Sequence, residues 1–453
     1  MAYLAVPVSL LLMTLLATPA SAGNHDVAQL EARVARLTAE LKEANAALDE
    51  ARTSEKNARQ RLETLEQQQS DITIGPLTIG GAVRVNYVIG DYTRLGDAPQ
   101  RGGNGGDMEL DTFRINLALR HEQLIGKLEY RWYNGYNFLH TGWLGYEFAN
   151  GSQVQAGLTR VPFGPGPYGV SQSWFFDQHY YVGLADDMDV GVKYLLQQDN
   201  WDLALAFFTG SERNWNGASK DSARYGYDIV QWESAIEEDG AVVSAPANGY
   251  EESRQLNARA IYHFGFESVP TDLGVSLQAG KLNGKRTDDG HHFAASVHMK
   301  NTMGNFVLAS QLTRYEIDID ADNALGTDEL VPMGAYDFAW PVATEAWLPA
   351  VSLSYRYATA EIPWLDYILP YAEYSGILKD SDEANDSEMI TVGAAWASGG
   401  WYIYTDYVWS NGNLFIGNEG DDYSNIYNGV GDFGANGNDA WNYRLNINFG
   451  YYF

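Results

Sequence analysis

The 453-residue sequence contains no cysteine. This absence excludes disulfide cross-links, a cysteine-ligated zinc or iron–sulfur site, a cysteine nucleophile and a lipid-modified cysteine at the mature N-terminus. Basic residues are also scarce, since 29 Lys and Arg stand against 59 Asp and Glu, for a net charge of −30. A nucleic-acid-binding protein needs a basic face to neutralise phosphates, so we expect no nucleic acid partner.

Two N-terminal segments differ from the rest of the chain. Residues 1–22 combine a long apolar core with small residues at Ala20-Ser21-Ala22, which predicts a secretory signal peptide cleaved after Ala22. No Lys or Arg precedes the apolar core, so a retained membrane anchor is the alternative. Residues 24–70 carry a 3.5-residue apolar repeat without Pro or aromatic residues. This repeat predicts a self-associating coiled coil, with a lone solvated helix as the alternative.

From residue 71 onward the apolar residues alternate with polar ones. In the last segment, one face runs from Trp441 through Leu445 and Phe449 to Phe453 and is rich in aromatics up to the end of the chain. Such a face is typical of a barrel strand that contacts lipid. Sixteen segments share the alternation: 77–89, 110–120, 124–134, 139–148, 152–160, 189–197, 200–209, 254–264, 272–281, 291–300, 304–314, 347–358, 366–376, 388–397, 400–409 and 441–453. Residues 71–453 are therefore predicted to form an all-β, sixteen-stranded antiparallel transmembrane barrel in the bacterial outer membrane.

The links between these segments alternate in length. Those after even-numbered segments are short, and those after odd-numbered segments are long except for 135–138. Outer-membrane barrels have short periplasmic turns and long external loops, so both barrel ends and the coiled coil are predicted to lie in the periplasm. Sixteen strands enclose a lumen wide enough for water and solute, which predicts a pore.

The parity of each strand predicts which charges face the lumen. Ten cations and six acids have lumen parity, although the barrel region as a whole is acidic. The acids are Glu129, Glu147, Asp202, Asp272, Glu373 and Asp406. Arg120 and Lys300 lie at strand ends, so we assign the pore lining to the other eight cations: Arg84, Arg114, Lys127, Arg131, Lys193, Arg259, Arg356 and Arg444. Cations along a narrow aqueous path favour anions, whereas Arg–Glu pairs lining an unselective hole are the alternative.

Segment 161–188 is the candidate constriction loop. Its density of Pro and Gly predicts a bent, non-helical path, and its aromatic side chains would be buried by folding into the barrel. A loop that covers a subunit interface is the alternative. The residues assigned to the constriction are Arg160, Phe163, Trp174, Phe175, Phe176, Asp177 and Tyr180.

An acidic stretch at 318–329 approaches the pattern of a calcium-binding loop. Asp318, Asp320, Asp322 and Glu329 occupy ligand positions 1, 3, 5 and 12, whereas Asn323 replaces the usual Gly at position 6. Calcium is the only cofactor that the sequence indicates, and a solvated acidic loop is the alternative. Acidic external loops could also bind divalent ions that bridge lipopolysaccharide.

Three stretches resemble a known family. Gly126–Arg131, the strand Val154–Arg160 leading into Val161-Pro162-Phe163-Gly164, and the ending Asn448–Phe453 resemble the phosphate-selective porin O and P group. With its N-terminal coiled coil, the chain is also similar to the related trimeric dicarboxylate-type porins. The resemblance implies a homotrimer of sixteen-stranded barrels, a loop folded into each lumen, and a row of arginines with lysines along the pore.

The sequence thus predicts a trimeric porin that passes small polar, anionic solutes and is not an enzyme. A general or carbohydrate porin is the alternative within this class. A barrel hydrolase would need a clustered nucleophile and base, and no G-x-S-x-G or P-loop motif is present. An adhesin or structural barrel that uses its acidic loops is a further alternative.

Overall fold

A computed structural model describes most of the barrel region. The described residues are 33, 36, 37, 72–91, 106–198, 200–212, 224–232, 235–238, 241–244, 248–323, 325–336, 338–358, 361–380, 385–413, 415–417 and 440–453. The predicted signal peptide and all but three helical residues of the predicted coiled coil lie outside them. None of the described helices is both long and apolar enough to cross a membrane.

Sixteen antiparallel strands close into a barrel within the unit Gln69–Phe453. Strands β1 to β16 are Leu77–Gly90, Asp107–His121, Leu124–Trp132, Asn137–Glu147, Gln153–Arg160, Met188–Gln197, Trp201–Ser211, Asn248–Phe264, Thr271–Lys285, Gly290–Met303, Phe306–Asp318, Glu345–Tyr355, Tyr367–Lys379, Ser387–Ser398, Trp401–Asn411 and Trp441–Tyr452. Each pairs with the next along the chain, and β16 closes onto β1 with Tyr452 opposite Ala82. The predicted fold is confirmed, and every predicted strand overlaps an observed one.

The barrel wall has apolar side chains on its outer face and polar side chains on its inner face, which is the opposite of a soluble protein. Large apolar side chains point outward, as shown by Leu144, Leu205 and Leu256, which are 58–61% exposed. Polar side chains such as Asn86 and Ser276 point inward and are buried. Alternate residues of a strand face opposite sides, so the period-2 pattern produces an apolar exterior around a polar interior.

The barrel has a short-turn end and a long-loop end. At the short-turn end, links such as 122–123, 304–305 and 399–400 join consecutive strands. At the long-loop end, the links include 161–187 and 212–247. Outward aromatic pairs at the short-turn end, for example Trp201 with Tyr262 and Trp401 with Tyr451, form part of a girdle of the kind found at membrane interfaces.

The long loops cover the barrel mouth. A small sheet of Asp228–Ile229, Leu330–Ala335 and Phe338–Ala343 packs over the interior. Its buried Val331 and Met333 join an apolar cluster with the loop that follows β5. The apolar core of this unit therefore lies between the loops and the barrel interior, and it holds the loops in place.

Two β-bulges shape the wall next to the loop. Between β1 and β2, Arg84 pairs with Thr112 and Val85 with Leu110, which leaves Asp111 as an extra residue. Between β3 and β4, His140 is left over in the same way. A bulge lets two consecutive residues face one side, so both extra side chains reach the interior.

Candidate functional site

Residues 161–187, here called the constriction loop, cross the barrel interior from β5 to the opposite wall. The Gly164 N–H donates to Ser276 Oγ on β9 at 3.1 Å. The Gln178 N–H donates to Ser375 Oγ on β13 at 3.1 Å. The indole N–H of Trp174 reaches Asp111 on β2 at 3.1 Å. Because these partners belong to different parts of the wall, the loop narrows the interior instead of standing above it.

Two buried carboxylates bind the middle of the loop. Glu373 accepts hydrogen bonds from Ser171 Oγ at 2.5 Å and from the Gln172 N–H at 2.6 Å. Asp406 accepts a hydrogen bond from the Trp174 N–H at 3.0 Å. Both acids were predicted to line the lumen, and the structure places them behind the loop as its anchors.

A bend inside the loop is organised by Asp177. Its carboxylate accepts hydrogen bonds from the N–H groups of Val170 and His179, and His179 in turn contacts Thr313 Oγ1 at 2.8 Å. Gly169 completes the bend with φ +63°, and a Cβ there would lie 2.2 Å from Asp177 Oδ2. The Asp–His–Thr series resembles a catalytic relay, but His179 and Thr313 are fully buried, so it attaches the loop to the wall.

A cationic wall faces the loop. Arg84, Arg114, Lys127 and Arg131 project from β1, β2 and β3 around Glu129, whose Oε1 lies 2.6 Å from Arg131 Nη2 and 3.4 Å from Arg114 Nη1. Lys127 Nζ is 3.9 Å from the other oxygen of Glu129. Three cations therefore share one buried carboxylate, and this group keeps a net positive charge.

A cavity of about 540 Å³ separates the cationic wall from the constriction loop. Arg84, Arg114 and Arg131 lie on one side, and Ser171 and Gln172 lie on the other. Three acids, Glu109, Asp111 and Asp186, also line the cavity. Aromatic side chains form much of the remaining lining: Tyr133, Tyr136, Tyr168, Trp174, Phe175, Phe176, Tyr180, Tyr181, Tyr225, Tyr336, Tyr402, Tyr404, Phe415 and Tyr452. The cavity thus offers cationic hydrogen-bond donors beside aromatic faces.

The long loops contribute to the cavity through Tyr225 and Tyr336. The Tyr225 hydroxyl donates to Asp186 Oδ2 at 2.6 Å, and Arg131 stacks over its ring at 4.5 Å. The hydroxyls of Tyr336 and Tyr180 are hydrogen-bonded to each other. Burial, reinforced by Asp186, raises the pKa of Tyr225 well above its usual value, so this phenol remains neutral.

The remaining predicted lining residues occupy different depths of the barrel. Arg444 is fully buried, contacts Trp174 and Phe175 with its guanidinium, and donates to the Phe415 carbonyl. Lys193 is buried and donates to the Arg160 carbonyl at 2.7 Å. Arg259 projects from β8 opposite Ala204 and Ser276. Arg356 stacks on Tyr367 at the short-turn end.

The predicted constriction residues lie in or next to the loop. Arg160 at its root contacts Asp186 at 2.6 Å and is 32% exposed, whereas Phe163, Phe175 and Tyr180 are buried in the apolar cluster. Phe176 stacks on Tyr168 with ring centroids 5.1 Å apart. The segment from Tyr168 to Phe176 that borders the cavity carries no charged side chain.

The other lumen-parity acids lie at the short-turn end. Glu147 forms a two-pronged pair with Arg120 at 3.0 and 3.2 Å. Asp202 and Asp272 both contact His263. Of the six predicted lumen acids, Glu129 alone lies within the cationic wall. With Asp111, which pairs with Arg84, it leaves two acids against the four cations of the wall.

The four acids of the stretch 318–329, Asp318, Asp320, Asp322 and Glu329, are solvent-exposed at the long-loop end. Asp318 lies 3.4 Å from His291, and Asp320 accepts a hydrogen bond from the Asp322 N–H. Within the described part of the chain, no three of Asp318, Asp320, Asp322 and Glu329 bring ligand atoms within 4.8 Å of one another. Calcium binding by this stretch stays a prediction.

Two cavity residues were missed from the sequence. Asp111 pairs with Arg84 at 2.8 Å and accepts a hydrogen bond from the Trp174 indole. Strict alternation would point this side chain toward the lipid, but the bulge turns it toward the interior. Asp186 binds Arg160 and Tyr225, and it lies in a loop where no periodicity applies. The only local sign of a functional role for Asp186 in the sequence was its position beside Asp187 and Asp189.

No protein-family model matches the chain, and no curated protein sequence is similar to it. Solved structures do resemble its barrel. The outer membrane channel DcaP of Acinetobacter baumannii has a TM-score of 0.51 and 13% identity, with 83% of this chain and 97% of that chain covered. An anion-selective porin from Comamonas acidovorans has a TM-score of 0.51, 10% identity, and coverage of 83% and 99%. OmpF of Salmonella typhi, in complex with daunomycin, has a TM-score of 0.50, 13% identity, and coverage of 84% and 100%. These similarities show a porin-type barrel fold.

Proposed function

We propose that the chain is an outer-membrane porin through which small polar solutes diffuse passively, with a preference for anions such as phosphate or carboxylates. The observation that carries the proposal is the excess of cations on the wall, where Arg84, Arg114, Lys127 and Arg131 face an uncharged loop segment and only Glu129 and Asp111 pair with them. The other acids of the cavity, Glu109 and Asp186, pair with Arg444 and Arg160. Arg84, Arg114 and Lys127 keep 17%, 18% and 45% of their side chains exposed. Charge-assisted hydrogen bonds from these groups offset the partial dehydration of an anion in a narrow passage.

The barrel exterior supports a location in the outer membrane. An apolar band bordered by an aromatic girdle at the short-turn end matches the lipid core, and the alternation of short turns with long loops supports a periplasmic position for the short-turn end. The 24–70 repeat would then lie in the periplasm and hold three chains together as a homotrimer. Acidic external loops would face lipopolysaccharide and its divalent ions.

No bond is made or broken in the proposed function. The Asp177–His179–Thr313 series is the one group near the cavity with the order of a hydrolase relay among the described residues. Its buried position and its role in attaching the loop argue against catalysis. Passive diffusion needs only the passage and its charges.

The aromatic lining favours a second candidate of the same class, a general or carbohydrate porin. Tyr133 and Tyr136 stack with centroids 5.2 Å apart, and Tyr336 meets both edge-on. Such faces pack against the apolar side of a sugar ring as well as against hydrocarbon. Neutral sugars would then pass at rates that do not depend on the cationic wall.

The sign of the selectivity is tested by reversal potentials in planar bilayers under a tenfold KCl gradient, where perfect selectivity gives about 59 mV. We expect the wild-type potential to have the anion sign. Arg114→Ala with Arg131→Ala removes two of the three Lys and Arg side chains that pair with Glu129, so the potential should move toward zero. The control Arg120→Ala removes an exposed cation of the short-turn end and should have little effect.

Three results would contradict the proposal. Cation-favouring potentials in both the wild type and the double variant would refute the anion preference. An equal uptake of neutral disaccharides and of size-matched anions into liposomes would favour the carbohydrate alternative. A complete lack of conductance would remove the pore itself and favour an adhesin or structural barrel.

A further inference from the structure

Five carboxylates are buried together where the constriction loop returns to the barrel wall. Asp187 ends the loop, Asp189 is the second residue of β6, Glu212 follows β7, Asp228 belongs to the loop after β7, and Glu252 projects from β8. None is more than 9% exposed. Burying several carboxylates side by side is unfavourable unless protons or cations neutralise them.

The nearest cation does not balance this charge. Arg224 is the one guanidinium that contacts the group within the described residues, with its Nη1 3.3 Å from Asp228 Oδ2. Burial and the neighbouring carboxylates raise the pKa of Glu212 and of Asp228 to about 8. The same causes raise the pKa of Asp187 well above its usual value. Five buried carboxylates thus face one guanidinium among the described residues.

Several oxygens of the group have no hydrogen-bond partner among the residues that the structure describes. They are Oδ1 of Asp187, Oδ1 of Asp189 and Oε2 of Glu212. The other oxygen of Glu212 accepts from the N–H groups of Tyr225 and Gly226, which fixes the orientation of this carboxylate. A Cβ on Gly226 would lie 2.8 Å from Asp187 Oδ1 and 3.2 Å from Glu212 Oε2, so both unpaired oxygens border the same space.

The spacing of the oxygens fits one ion. Ligand atoms of Asp187, Asp189 and Asp228 all lie within 4.8 Å of one another. Oxygens bound to a common Ca²⁺ at about 2.4 Å cannot be farther apart than about 4.8 Å. Calcium accepts 6–8 oxygens in irregular arrangements, whereas Mg²⁺ requires a near-octahedral shell. Carboxylates from three separate segments, 187–189, Glu212 and Asp228, favour the larger and less demanding ion.

We propose that Asp187, Asp189 and Asp228, assisted by Glu212, bind a structural Ca²⁺ that ties the constriction loop to the loop carrying Tyr225. This site is distinct from the exposed acidic stretch 318–329. It does not depend on the proposed anion preference, because the ion would be held to one side of the cavity and would act on loop position.

The proposal is tested by calorimetric titration of CaCl₂ and MgCl₂ into the full-length, detergent-solubilised protein after treatment with EDTA. We expect one Ca²⁺ per chain with at least tenfold preference over Mg²⁺. Asp189→Asn with Asp228→Asn should weaken Ca²⁺ binding at least tenfold, and Asp320→Asn in the exposed stretch should leave it unchanged. Terbium luminescence sensitised by Tyr225 gives an independent readout of the same site.

Two milder variants keep the test decisive if the double variant fails to fold. Glu212→Gln removes one charge without changing shape, and Gly226→Ala fills the space beside the unpaired oxygens, so each should weaken Ca²⁺ binding. Retention of full affinity in both would overturn the proposal. The proposal would also be overturned if the wild type bound no Ca²⁺ at millimolar concentration. It would likewise be overturned if Asp320→Asn lost the ion and the double variant kept it.

Discussion

Removal of the Glu373 carboxylate tests whether hydrogen bonds to the barrel wall keep the middle of the constriction loop in place. This side chain accepts two hydrogen bonds from the loop, at 2.5 Å from Ser171 and 2.6 Å from Gln172, and a third from Ser352 at 2.8 Å. A hydrogen bond to a charged group contributes roughly 1.5–3 kcal/mol, so the two loop contacts together contribute about 3 kcal/mol or more. Since about 1.4 kcal/mol is a factor of ten, Glu373→Ala should raise the released fraction of this segment about a hundredfold.

The remaining anchors limit the effect to the middle of the loop. Gly164, Gln178 and His179 keep their partners on β9, β13 and β11, so the two ends of the loop should stay docked. We therefore expect larger and noisier single-channel conductance rather than loss of the barrel. Residues 161–187 contain no Lys or Arg but many aromatic residues, so limited chymotrypsin digestion, not trypsin digestion, should reveal the release.

A matched control is Glu147→Ala, which removes a lumen-parity acid that binds Arg120 at the short-turn end. It should leave conductance noise and the chymotrypsin pattern unchanged. If Glu373→Ala behaves like this control in both assays, the carboxylate does not hold the loop, and the proposed mechanism of constriction is refuted.

Further predictions concern the bend, the tip of the loop and the oligomer. Gly169→Ala places a Cβ against the Asp177 carboxylate. The left-handed backbone conformation alone destabilises the bend by about 1–2 kcal/mol, before the clash is counted. Chymotrypsin should therefore cleave the loop faster, and unchanged cleavage would contradict this. Trp174→Phe loses the hydrogen bond to Asp111 and should raise single-channel conductance, whereas an unaltered conductance would show that the tip contact is dispensable. Deletion of 24–70 should shift the detergent-solubilised protein from trimer toward monomer in light scattering, and an intact trimer would show that the barrels associate without it.

The strands could be predicted because lipid imposes a strict rule on them. Every outward position of a membrane strand must be apolar, so alternation persists over whole strands such as β16, and the parity of Arg84 or Arg131 follows from it. The rule fails where a bulge adds a residue. Asp111 faces the interior for that reason, and its neighbour Thr112 is buried beside it.

The partners of the constriction loop could not be predicted by any local pattern. Ser171 and Glu373 are separated by 202 positions, and Trp174 and Asp406 by 232. The composition of the loop indicates that it is bent and buried, but the register in which it meets the far wall depends on the closed barrel. The same holds for the buried carboxylates around Asp187, where Asp228 of a distant loop comes within ligand distance of Asp187 and Asp189.

The distribution of acids, rather than their number, determines the field inside the barrel. The chain carries a net charge of −30, yet Glu373 and Asp406 bind loop N–H groups behind the constriction, and Glu129 is shared by three cations. A carboxylate whose oxygens are already occupied and shielded from the cavity contributes little repulsion to an entering anion. The four cations of the wall also outnumber Glu129 and Asp111, the acids that pair with them, so the local potential of the wall is positive even in a strongly acidic protein. A substitution that frees one of these carboxylates toward the cavity should reduce anion preference more than an added acid on the external loops, because surface charges beyond about 8 Å are screened at physiological salt.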